Sequence, residues 1–100
     1  MRVTIMSLNV VLANKQARQL RELAGALRGA QSSLLSYQHN LNTYWKGVEM
    51  TPTNHTMDRH RNRLASIAVD LESISNDIVR AAEAIRAEEI AAEAAAMAQA

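Results

Sequence analysis

One hundred residues with no cysteine, 48% hydrophobic residues, 3% aromatics and a formal net charge of +1 leave room for a single small domain. The apolar fraction excludes a chain disordered through low hydrophobicity, and the missing thiols exclude a disulfide framework. The near-neutral balance speaks against nucleic acid or a membrane surface as the main partner.

With so few aromatics the core must come from Leu, Ile, Val, Met and Ala, the palette of helical bundles. A chain this short without disulfides is expected to gain stability by oligomerising. The charge is unevenly spread: residues 1–50 carry six Lys and Arg against Glu22 and Glu49, and the second half is net negative.

The apolar stretch Val3 to Ala13 is interrupted by Ser7 and Asn9 and passes unbroken into a helical pattern. It reads as the start of the fold, the alternative being a cleaved signal peptide. No run reaches the roughly 20 apolar residues of a membrane span. Leu20, Leu27, Leu34 and Leu41 then repeat by seven, with Leu23, Ala30, Tyr37 and Tyr44 three residues after each, the seam of a helix that packs on others. Ser7 or Asn9 can supply the N-cap, which predicts a first helix over about 8–42. Gly25 and Gly29 fall inside it, either tolerated on the surface or marking the close approach of another helix.

Residues 43–50 are polar, contain Gly47, and have the length of a turn between antiparallel helices. A second helix is predicted over about 52–90, with Pro52 in its first turn and Thr51 or Thr56 as cap. Its ladder is Met57, Leu64, Leu71, Ile78 and Ile85, followed at three residues by His60, Ile67, Ile74 and Ala81. The tail 91–100 is nearly all alanine and is expected to fray as a helical overhang.

Folding the turn predicts an all-α antiparallel hairpin whose residue pairs sum to about 98. That register sets Leu34 against Leu64, Leu27 against Leu71, Leu20 against Ile78 and Ala13 against Ile85. It also brings Lys15, Arg18 and Arg21 near Asp77 and Glu83. Val10, Ala17, Ala24, Ala68 and Ala82 widen the apolar face beyond one seam, which predicts a second contact: dimerisation into a four-helix bundle.

No catalytic, cofactor or metal motif is found. His39, His55 and His60 lack the i,i+4 spacing that puts two imidazoles on one helical face, and there is no glycine-rich loop after a strand. Asp70, Glu72 and Asp77 are scattered around a helix as solvated charges, and His60 is expected at the seam as a structural histidine. Arg59, Arg61 and Arg63 could contact phosphates, but without interleaved aromatics they read better as a solvated first turn.

The remaining feature is the turn Tyr44-Trp45-Lys46-Gly47, in which the indole can close the end of the bundle while Gly47 lets the backbone reverse. A cysteine-free chain of 100 residues with a long amphipathic helix on each side of Trp45-Lys46-Gly47 resembles the WXG family of small proteins exported by type VII secretion systems. The resemblance implies a dimeric four-helix bundle in which the turn of one chain lies near the helix termini of the other. It implies secretion from the cytoplasm without a cleaved signal, and a role as substrate, adaptor or partner of a virulence-associated or interbacterial effector. The expected partners are a second copy, or a related hairpin or toxin N-terminus, together with the secretion machinery.

The packing residues carried into that reading are Leu20, Leu23, Leu27, Leu34, Tyr37, Leu41, Leu64, Ile67, Leu71, Ile74, Ile78 and Ile85. The family's C-terminal Tyr-x-x-x-Asp/Glu export signal is absent, since Tyr37 and Tyr44 both precede the second helix. Val79-x-x-x-Glu83 and Ile85-x-x-x-Glu89 lack the ring. The readings left open are that a partner chain supplies the signal, that the tail 91–100 carries it, that the protein escorts a toxin, or that it stays in the cell. The rival reading is a cytoplasmic helical assembly or nucleic-acid-associated module that is not exported.

Overall fold

The computed structural model describes residues 2–99, with side-chain surroundings described from Val10 onward. Two helices make up the fold, α1 (Arg2–Tyr44) and α2 (Met50–Gln99), joined by a short turn and packed against each other as an antiparallel hairpin. The result is a rod with extents of 80 × 16 × 11 Å. α1 begins several residues before the expected start at about 8, because the apolar residues ahead of Ser7 and Asn9 continue the helix. α2 continues past Ile90 to Gln99, so the alanine-rich tail is a helical overhang, in keeping with the helix propensity of its alanines.

The fully buried seam is made of small residues. Ala17 and Ala24 of α1 meet Ala68 and Ser75 of α2, all four almost inaccessible to solvent. Short side chains let the two axes approach closely. The close approach puts the Ser75 hydroxyl 2.9 Å from the main-chain carbonyl of Ala17, to which it donates. In heptad terms these residues, with Val10, Gln31 and Gln38 of α1 and Asn54, Arg61 and Ala82 of α2, form the a positions. The d positions are Ala13, Leu20, Leu27, Leu34 and Leu41 on α1, and Met57, Leu64, Leu71 and Ile78 on α2. Apart from buried Met57, these d side chains are half-buried.

One half of each predicted seam therefore lies elsewhere. The seven-residue ladders of Leu20 and of Met57 do face the partner helix. Their companions at three residues on, Leu23, Ala30, Tyr37 and Tyr44 in α1 and His60, Ile67, Ile74 and Ala81 in α2, are exposed. Ile85, although at a d position, is also exposed. The companions sit at the g positions, one flank away from the seam.

The register is fixed near the turn by a polar layer. The buried Gln38 amide donates to Asn54 Oδ1 at 3.0 Å and to Asp58 Oδ1 at 3.2 Å, and its oxygen accepts from Arg61 Nε at 3.2 Å. Asn42 and Asn54 exchange reciprocal amide bonds of 3.0 Å. Farther along, Arg28 pairs with Glu72 and Arg21 donates to Asn76 at 2.8 Å. The numbers in these interhelical pairs sum to between 92 and 100, close to the expected register. The charge partners differ from expectation: Asp77 pairs with Arg80 of its own helix, and among the described residues the ion pair across the hairpin is Arg28–Glu72.

Candidate partner-binding face

Reversing one helix of a pair brings like flanks together, so in this hairpin e positions adjoin e positions and g adjoin g. The e flank carries Arg21, Arg28 and Asn42 from α1 and Asp58 and Glu72 from α2, the residues that make the interhelical bonds described above. Leu35, Ala65 and Val79 are its apolar exceptions. These five polar residues of the e flank are thus committed within the hairpin.

The g flank is its chemical opposite. It carries Leu23, Ala30, Tyr37 and Tyr44 from α1 beside Ile67, Ile74 and Ala81 from α2. Leu23 is 50% exposed, Tyr37 63%, Ile67 41% and Ile74 48%. The half-buried d residues Leu20, Leu27, Leu34, Leu64, Leu71 and Ile78 border it, so the apolar surface is continuous from one helix to the other. The twelve residues assigned from sequence to helix packing thus divide between the hairpin seam and this outward flank. His60 stands on the same flank near the turn, exposed where a seam position is expected.

Two magnitudes describe how extended the hairpin is. A compact monomer of 11.0 kDa exposes roughly 5,600 Å², whereas this chain exposes 7548 Å². The radius of gyration, 22.7 Å, compares with about 13 Å for a compact chain of 100 residues. The surplus belongs to the whole rod, whose two helices cover each other on one side only.

The turn end carries a smaller exposed cluster. Trp45 is 62% exposed, with Tyr44, Lys46 and Val48 around it, so within one chain the indole projects into solvent and does not close the hairpin end. The main-chain N–H of Trp45 donates to the Leu41 carbonyl at 2.8 Å, extending the helical pattern to the edge of the reversal. Gly47 then takes φ 156°, a conformation side-chain-bearing residues rarely adopt. The Gly47 carbonyl accepts from Met50 N–H at 3.2 Å as α2 begins. Gly25 and Gly29 face open space, with no neighbour that close approach of another helix within the hairpin would require. Thr56 does not cap α2, since its hydroxyl bonds back to the Pro52 carbonyl at 3.1 Å inside the helix.

Arg61 is tied to Asp58 at 2.5 Å and to Gln38, leaving Arg59 and Arg63 as the exposed arginines of that stripe. The Gln38 amide, followed by the Arg61 guanidinium, holds the Asp58 carboxyl below the usual aspartate range. Among the described residues no three His, Asp or Glu side chains gather in a way that could hold a metal ion. No described helix is long and apolar enough to cross a membrane. The chain matches no protein-family model, no curated protein and no solved structure.

Proposed function

We propose that this chain is a helical adaptor that works by protein–protein binding, as a small substrate or partner of a type VII secretion system, without catalysis. The observation that carries the binding part is the apolar g flank of Leu23, Tyr37, Ile67 and Ile74, left open by a hairpin that bonds Arg21, Arg28, Asp58 and Glu72 along the other flank. A second copy docked on that flank completes a four-helix bundle, as does a related hairpin or the helical N-terminus of a toxin. The export part rests on the resemblance around Trp45-Lys46-Gly47 at the tip of a hairpin of 100 residues.

The test is to express the tagged chain in cells carrying a type VII apparatus, with and without its membrane ATPase, and to assay cells and medium. The chain is expected in the medium only when the ATPase is present. The Ile67→Glu/Ile74→Glu variant should stay inside the cells because its partner face is spoiled. Equal amounts in the medium with and without the ATPase, or none in either, would leave a cytoplasmic helical module as the better account.

A further inference from the structure

Toward the open end of the rod lies an apolar pocket of about 280 Å³. It exists because small residues face each other there: Val10 and Ala13 of α1 stand opposite Ile78, Ala81, Ala82 and Ile85, and Glu89 sits at the rim. The opening explains why Ile85 remains exposed at a d position. A cavity of roughly 150 Å³ holds a benzene ring, so this one has room for a ring and a short alkyl chain. The Val, Ala and Ile side chains of its walls offer water no hydrogen bond, and an apolar group that displaces such water is bound favourably.

The charge around the pocket is one-sided. Glu89 occupies an a position, half-buried in the line of the seam, and Glu88 stands beside it at a g position. The ion pairs among the described residues, Arg28–Glu72, Asp58–Arg61 and Asp77–Arg80, include neither carboxylate. The cations of this end belong to other faces. Lys15 and Arg18 line a separate hollow on the outer side of α1, Arg21 and Arg80 line another beside Asn76, and Arg86 is on the e flank. The a, d and g positions of α1 from Val10 to Ala24 bear no charged residue.

We propose that this pocket binds an apolar cation, an aryl or alkyl group joined by a short chain to an ammonium. The apolar group fills the space between Ala13 and Ala81. The ammonium stays at the wet rim, where Glu89 and Glu88 supply the opposite charge without the cation leaving water altogether. A carboxylate ligand of the same shape meets like charge there and is rejected. One chain builds the whole site, so the inference stands or falls apart from the docking proposed above.

The probes are phenylbutylammonium, phenylbutanol and phenylbutanoate, which share a ring and a chain and differ in charge. In methyl NMR titrations of the full chain, Val10, Ile78 and Ile85 should shift while Leu34 and Leu64 stay in place. The ammonium should bind several-fold more tightly than the alcohol and about tenfold or more above the carboxylate, a preference that shrinks as salt is raised. Glu88→Gln/Glu89→Gln should bring the ammonium down to the affinity of the alcohol and leave the alcohol unchanged. Ala81→Leu, a change at an exposed position, should fill the pocket and abolish binding of all three while circular dichroism stays helical. Equal affinity for the three probes, or an ammonium preference that survives the double glutamine variant, overturns the assignment. So do shifts that fall away from the pocket, or the absence of any.

Discussion

Ser75 donates its hydroxyl proton to the main-chain carbonyl of Ala17 across the hairpin, at 2.9 Å and out of reach of solvent. A side chain can reach a backbone carbonyl of the opposite helix only where the axes run close. Alanine at positions 17, 24 and 68 provides that closeness. Removing the hydroxyl in Ser75→Ala should cost about 1 kcal/mol, the net worth of one hydrogen bond. Ser75→Leu should cost more, about 1–3 kcal/mol or above, since the added carbons must push the helices apart. Urea denaturation of both variants checks the order. Equal stability for Ser75→Leu and the wild type would contradict a tight seam.

Gln38 holds Asn54, Asp58 and Arg61 in one polar layer, and this layer sets a pH dependence. The Asp58 carboxyl titrates below its ordinary value in the folded chain, because Gln38 and then Arg61 donate to its ionised form. A group with a depressed folded pKa stabilises the fold above its unfolded pKa. The contribution is lost as the pH falls through the folded value. The melting temperature should therefore be level near neutrality and fall below about pH 4, the unfolded aspartate range. Asp58→Asn should lower stability at pH 7 and shallow the acid decline. A decline of unchanged depth in that variant would assign it to other carboxylates.

The ladders of Leu20, Leu27, Leu34 and Leu41 and of Met57, Leu64, Leu71 and Ile78 are legible in the sequence, and with them the antiparallel hairpin. The choice of flank is not. A heptad ladder has two neighbouring ladders, one three residues before it and one three residues after. Hydrophobicity alone favours the one with larger side chains, which in α1 means Leu23 and Tyr37 over Ala17 and Ala24. The helices instead bury the smaller set, because Ala and Ser permit a closer approach and Gln38, Asn54 and Arg61 satisfy one another inside it. The large residues stay outside as a second face. Likewise the pocket beside Ile85 depends on which small residues of α1 arrive opposite Ala81 and Ala82, and this is set by register to within a turn of helix. Trp45 stands out in the sequence by its position at the tip, but its exposure follows from a reversal too short to fold the indole back onto the rod.

The central claim is that the flank of Leu23, Tyr37, Ile67 and Ile74 binds a second helical hairpin. The most direct measurement is the solution mass by light scattering at micromolar concentration, for the wild type and for Ile67→Glu/Ile74→Glu, with circular dichroism on the same samples. The account predicts about twice 11.0 kDa for the wild-type chain and a shift of the variant to monomer, with lower helicity as the unpaired hairpin loses support. A wild-type chain that stays a fully helical monomer, with a melting temperature the two glutamates leave unchanged, would contradict it.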